Sequence, residues 1–166
     1  MDVAERHRPS STVHIRLARR DDVPAIVRLL ADDALGSTRE KLLDPLPASY
    51  YTAYDDIAAS PSRTHLVVAV VNDDSGTRVV GTAQLDFLRL MSRCGALFAE
   101  LHGVRVADSD RGRGFGTAIV CSLVHEARTR GCTMISLESH SSRVDALRFY
   151  ARLGFEASHV GMKLRL

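Results

Sequence analysis

The stretch from Glu100 to Leu123, ELHGVRVADSDRGRGFGTAIVCSL, constrains this chain more than any other. Its first part alternates, and a two-residue period places Glu100, His102, Val104 and Val106 on one face of a strand. A polar bend, Ala107-Asp108-Ser109-Asp110, comes next, then Arg111-Gly112-Arg113-Gly114-Phe115-Gly116, then an apolar segment with helical spacing. Strand, glycine-rich bend and helix in that order aim several backbone N–H groups at one point. The helix N-terminus adds partial positive charge there, so the point suits a phosphate or pyrophosphate. Glycine leaves open both a φ > 0 backbone and the close approach of a ligand. Arg111 and Arg113 can add charge-assisted hydrogen bonds. No Lys-Ser/Thr follows the glycines, so this is not a Walker A loop. Nor do glycines at 112, 114 and 116 have the G-x-G-x-x-G spacing of a dinucleotide fingerprint.

The rest of the chain supplies a sheet and helices around that stretch. Val13 to Ala18 alternates and predicts a first strand. Asp21 can cap a helix whose buried face is Val23, Ile26, Val27, Leu30 and Ala34. A loop over 36–49 leads to a shorter helix over 50–59, which Ser60-Pro61 stops. Leu66 to Val71 is apolar on both faces and predicts a central strand within 64–72. Asn72 to Gly76 reads as a hairpin turn, and 78–90 as a long returning strand. After a loop over 91–96 come strand 98–107, helix 114–130, strand 132–138 and helix 143–153, with Gly154 as its cap. Residues 155–166 read as a last strand or a hairpin around Gly161.

The predicted order is β-α-α-β-β-β-α-β-α-β, an α/β fold. The βαβ unit over 98–138 makes its two strands parallel. The sheet is therefore mixed and mostly antiparallel, with one parallel pair and helices on both faces. Residues 1–12 are polar and read as a flexible N-terminal tail, and 13–166 as a single domain.

Composition excludes several classes. A formal net charge of only +2 argues against a nucleic-acid surface. Cysteines 94, 121 and 132 are odd in number, and two lie in predicted elements, which predicts reduced thiols rather than a disulfide framework. Cys and His show no metal-ligand spacing, so no metal is expected. The N-terminus lacks the apolar core of a signal peptide, and the longest apolar run, Leu66 to Val71, is far short of a membrane span. A cytoplasmic protein without a membrane partner is expected.

Two motifs carry a family resemblance. Arg111, Gly114 and Gly116 fall on the fixed positions of the Arg-x-x-Gly-x-Gly motif of the GNAT N-acetyltransferases, which grips the pyrophosphate of acetyl-CoA. Ala146-Leu147-Arg148-Phe149-Tyr150-Ala151-Arg152-Leu153-Gly154-Phe155 resembles that family's closing motif, A-x-x-F-Y-x-x-x-G-F. The relative spacing of the two motifs is the family's, and the resemblance spans about residues 13–166. Many members carry Asn three residues before the alanine, where this chain has Arg143. With Ser158-His159 further on, the closing segment is similar to the branch that includes aminoalkylphosphonate N-acetyltransferases.

The resemblance implies acetyl-CoA as cosubstrate and a small-molecule primary amine as acceptor, acetylated by direct attack in a ternary complex. It further implies that strand 98–107 carries a bulge and splays from its parallel neighbour, and that β-strand-like pairing in the opening holds the pantetheine arm against the main chain of Val104 and Val106, with the Val106 N–H on the thioester carbonyl. Arg111, Gly112, Arg113, Gly114, Phe115 and Gly116 would take the pyrophosphate. Tyr150 matches the family's general acid. Glu100 and His102, six and four residues before Val106, are the candidates for the base; histidine has an intrinsic pKa of about 6.5, suited to proton removal. Two other readings stay open: acetylation of a protein N-terminus or lysine, and a CoA-binding regulatory module without turnover. Family members are often dimers, so a homodimer is the assembly the resemblance allows. Cys132 reads as a core residue and not a nucleophile, His140 as an exposed loop residue, and Tyr50, Tyr51 and Tyr54 as either acceptor-pocket or core side chains.

Overall fold

The computed structural model describes residues 13–32, 35–73 and 76–164. The expected tail over 1–12, Ala34, the tip of the hairpin at 74–75 and residues 165–166 lie outside them. The elements are β1 (Val13–Leu17), α1 (Val23–Ala31), α2 (Ala48–Ala58), β2 (Thr64–Asp73), β3 (Gly76–Arg89), α3 (Ser92–Gly95), β4 (Leu97–Val106), α4 (Phe115–Thr129), β5 (Met134–Leu137) and α5 (Val144–Arg152). The sheet order is β1-β2-β3-β4-β5. The first three pairings are antiparallel and β4 with β5 is parallel. Among the described residues no helix is long and apolar enough to cross a membrane.

The apolar run of β2 explains the layering. Val67, Ala69 and Val71 join the larger core with Phe115, Ile119 and Leu123 of α4. Val68 and Val70 pack on the other face with Ile26 and Leu30 of α1. A strand buried on both faces needs cover on both, and the two helical layers supply it.

Three expectations are corrected. The first concerns β4. Thr82 pairs with Arg105 but Gln84 pairs with His102, so Gly103 and Val104 together oppose Ala83. This is a β-bulge, and Gly103 takes the left-handed conformation at φ 57°, which a Cβ would disfavour. The extra residue shifts the alternation by one. Val104 and Val106 therefore pack with Ala99 and Leu101 toward α4. Glu100 and His102 do not share their face.

The second correction is the missing last strand. Among the described residues, 155–164 form no ladder. β5 is only four residues long and lies outermost in the sheet. Beyond Gly154 the chain is tied to the end of β5 by Lys163 Nζ, 2.8 Å from Glu138 Oε2, instead of running along that strand. The alternating Val160, Met162 and Leu164 are 92%, 92% and 86% exposed, so no apolar surface rewards a strand there. The third is local: the loop over 91–96 contains the single turn α3, in which Arg93 and Cys94 have left-handed backbone.

Candidate active site

The site forms where β4 outruns its parallel neighbour. The β4–β5 ladder ends at Leu101 opposite Leu137, whereas β4 continues to Val106. Which main-chain groups face the resulting gap follows from register. Ala107 N–H donates to Val80 C=O at 2.9 Å, and Val106 sits opposite Gly81. Val106 is thus a non-hydrogen-bonded position toward β3. Its own N–H and C=O point the other way, to the open side, and so do those of Val104 two residues earlier. Arg105 Nη1 donates to Val104 C=O at 2.8 Å and Arg111 Nε to Val106 C=O at 3.3 Å.

The loop after β4 is held from beneath. Asp108–Asp110 forms one 3-10 turn, and Asp110 is only 1% exposed. Arg78 of β3 reaches Asp110 with both terminal nitrogens, at 2.6 and 3.1 Å, Ser109 Oγ donates to it at 3.1 Å, and Arg113 Nη1 donates to it at 2.7 Å. The Arg78 hydrogen bonds outweigh the effect of burial and hold the Asp110 carboxyl below the usual carboxylate range. Arg111 ion-pairs with Asp108 and donates to Asp32 C=O at 3.2 Å, while Asp108 N–H donates to Asp32 Oδ2 at 3.1 Å. These contacts dock the loop on the end of α1.

Gly114 turns the chain into α4 with φ 82°, and Gly112 has φ 77°. No side chain caps this helix and its first turn carries no acidic residue, an arrangement suited to an anion at its first N–H groups. A Cβ on Gly112 would meet nothing within 4 Å, so the loop is open at that point. The side chain of Phe115 is buried in the core beneath. A Cβ on Gly116 would lie 3.4 Å from Phe149 and 3.7 Å from Val106, so the start of α4, the end of β4 and α5 meet there. These features fit a pyrophosphate on the loop with an extended arm along β4.

Tyr150 of α5 stands between Phe149 and Phe155 in edge-on contacts, with ring centroids 5.0 and 5.7 Å away. It packs in the same cluster as Val104 and Val106. Burial raises its phenol pKa, and Arg105 and Arg143 draw it part of the way back.

The opposite face of the sheet carries a polar group. Asp86 of β3 lies across from Glu100, and Gln84 across from His102. His102 Nε2 is 3.3 Å from Asp86 Oδ2 and 3.9 Å from Glu100 Oε2, and Gln84 Nε2 donates to both Asp86 oxygens at 3.1 Å. Glu100 and His102 therefore come together, joined by Asp86, which sequence reasoning missed. Its signal was available: Gln84 and Asp86 alternate with the apolar Ala83, Leu85 and Phe87. Tyr150 packs on the other face, so β4 separates it from this group except where the gap opens.

The remaining candidates have other surroundings. Cys132 has its thiol pKa pushed up by burial, against activation as a nucleophile. His140 is exposed and bonded to Ser142. Tyr50 bonds Glu40 and Lys41, Tyr54 donates to Ala18 C=O, and Tyr51 lies under Arg20.

Comparison with known proteins decides the family. The sequence profile of the Acetyltransferase (GNAT) family matches residues 24–155. The chain belongs to this family. It is 31% identical over 148 residues to a glucosamine 6-phosphate N-acetyltransferase of Trypanosoma brucei brucei, covering 88% of this chain and 99% of that protein. A rice protein called glucosamine 6-phosphate N-acetyltransferase 1 is 30% identical over 120 residues, 72% of this chain and 70% of its own length. Among solved structures, a Bacillus halodurans protein described as a transcriptional regulator superposes with a TM-score of 0.87 at 39% identity, over 93% of this chain and all of that one. This GNAT chain is thus an acyltransferase, of a family that generally uses acetyl-CoA.

Proposed function

We propose that this protein transfers the acetyl group of acetyl-CoA to the primary amine of a small molecule by direct attack in a ternary complex. The observation that carries the reading is the open edge of β4, whose Val104 and Val106 main-chain groups face a gap bounded by the uncapped start of α4 and by Tyr150. Acetyl-CoA supplies the acetyl group already activated as a thioester. Residues 111–116 hold its pyrophosphate through loop and helix N–H groups, and Arg111 adds charge. Val104 hydrogen-bonds the arm, and the Val106 N–H donates to the carbonyl where negative charge develops. Because the two strands part beyond Leu101, that carbonyl is reachable from both faces. Glu100 and His102 on one side take the amine's proton, and Tyr150 on the other protonates the sulfur. A raised phenol pKa keeps that proton in place at neutral pH.

The relatives acting on glucosamine 6-phosphate favour a small acceptor. The test is thiol release from acetyl-CoA with a panel holding glucosamine 6-phosphate, free amino acids, simple amines and peptides with free N-termini or lysines. Turnover of one or more small amines is expected; turnover of peptides alone would overturn the acceptor class. A second reading, a CoA-binding regulator without turnover, draws on the likeness to the Bacillus halodurans protein described as a regulator. Tight acetyl-CoA binding with no thiol release across the panel would favour it.

A further inference from the structure

The geometry points to Asp86 as a positioning residue that holds His102 as its Nε2–H tautomer, so that Nδ1 is the atom that takes the acceptor's proton. This deepens the proposed acetyltransferase reading and rests on it. Asp86 Oδ2 is the nearer carboxylate oxygen, in an ion-pair contact 3.3 Å from His102 Nε2, whereas Glu100 Oε2 lies 3.9 Å away. A carboxylate only accepts hydrogen bonds, so the nitrogen facing it carries the hydrogen. Nδ1 is then the nitrogen with the lone pair. Gln84 makes the arrangement one-way: its NH2 donates to both Asp86 oxygens at 3.1 Å and fixes the carboxylate toward the ring. The register that sets Gln84 opposite His102 and Asp86 opposite Glu100 puts all four side chains on one face of neighbouring strands.

The proton step balances within this group. The amine N–H bond breaks as nitrogen attacks the carbonyl, and an N–H bond forms at Nδ1. The resulting imidazolium keeps its Nε2–H beside Asp86, whose negative charge offsets the new positive one. Solvent then removes the Nδ1 proton and restores the base.

Asp86→Asn tests this with little change of shape. Gln84 would go on donating to the Asn carbonyl oxygen and so turn the Asn NH2 toward Nε2. Nε2 would have to accept, and His102 would switch to its Nδ1–H tautomer with no base at Nδ1. Nitrogen NMR on histidine-labelled protein should show His102 as Nε2–H in the wild type and Nδ1–H in D86N. With the best amine of the panel, kcat should fall about 100-fold, the scale of general-base catalysis. The acetyl-CoA KM should stay within about twofold, since loop 107–116 is untouched. An Nδ1–H wild type, a tautomer switch without loss of kcat, or a loss of kcat without a switch would each overturn the proposal. Should D86N not fold, the wild-type spectrum decides. The spectrum needs no turnover, so an enzyme inert toward every amine would defeat the acetyltransferase reading while the Asp86 contact is still read by itself.

Discussion

The two ends of the site are built in different ways. The proposed cosubstrate end, residues 107–116, is one continuous stretch that offers backbone N–H donors and is clamped by a buried carboxylate. The proposed acceptor end is four side chains on two strands, Gln84, Asp86, Glu100 and His102, gathered only by sheet register. Backbone donors recognise a diphosphate whatever the side chains around them, so the first end can serve a cosubstrate common to the family. Side chains on a half-open sheet face change with single substitutions, and so the second end can serve the acceptor. The difference teaches that damage to the two ends should separate: binding of acetyl-CoA at one, the rate of acetyl transfer at the other.

Gly114→Val should break the first end most severely. A β-branched residue at φ 82° is a genuine conformational outlier, costing about 1–3 kcal/mol before the loop reshapes. Loss of about 100-fold in acetyl-CoA affinity by titration calorimetry is expected, with the His102 tautomer unchanged. Normal affinity would remove the pyrophosphate assignment and with it the comparison.

Asp110→Asn should follow, at about 2–3 kcal/mol of folding stability, because it leaves Arg78 and Arg113 aimed at a neutral group. The sign with pH is fixed by direction. The carboxyl pKa is lowered on folding, chiefly by Arg78, so its contribution is complete above the unfolded value of about 4 and is lost as pH falls through the lower folded value. In urea melts the gap between wild type and D110N should narrow as pH falls below about 4. Asp22 behaves alike. Burial acts to raise its carboxyl pKa, but the Arg16 hydrogen bond and the Arg19 N–H bring it below its usual range, so both proteins should still lose stability in acid.

Tyr150→Phe sits between the two ends and should sharpen the contrast. It should lower kcat about 10- to 100-fold while leaving acetyl-CoA binding unchanged. The raised phenol pKa adds a pH test: no alkaline loss of rate attributable to Tyr150 should appear below about pH 10. An unaltered kcat would remove it as the acid.

The same contrast explains what could be read in advance. The elements were legible because their signals are local: the apolar run of β2, the glycines before α4, Gly154 after α5. The turn at Gly112 and Gly114 into α4 was legible for that reason too. The family resemblance implied a bulge in this strand, but its place was not legible, because Glu-Leu-His-Gly-Val-Arg-Val continues a two-residue period and only pairing with β3 reveals that Gly103 and Val104 share one partner. Asp86 was missed likewise, since nothing in the sequence says which β4 residues it will face. The closing strand was over-read: Val160, Met162 and Leu164 alternate, but alternation forms a strand only where a neighbouring edge and an apolar surface receive it.

The smallest effect separates two arginines that the motif treats nearly alike. Arg113 spends its guanidinium on Asp110, 2.7 Å away, and on the face of Phe115, 4.8 Å from the ring centre. Arg78 makes two bonds to the same carboxylate, so Arg113→Ala leaves Asp110 paired. Arg111 instead lies along the gap, bonded to Val106 C=O at the very position proposed to hold the arm. Arg111→Ala should therefore weaken acetyl-CoA about tenfold, the effect of one charge-assisted hydrogen bond worth about 1.4 kcal/mol. Arg113→Ala should weaken it no more than about threefold and lower stability by about 0.5 kcal/mol. If the two variants bind acetyl-CoA equally poorly in calorimetry, Arg113 must leave Asp110 to meet the diphosphate. The loop would then be shaped by its cosubstrate and not by the buried carboxylate beneath it.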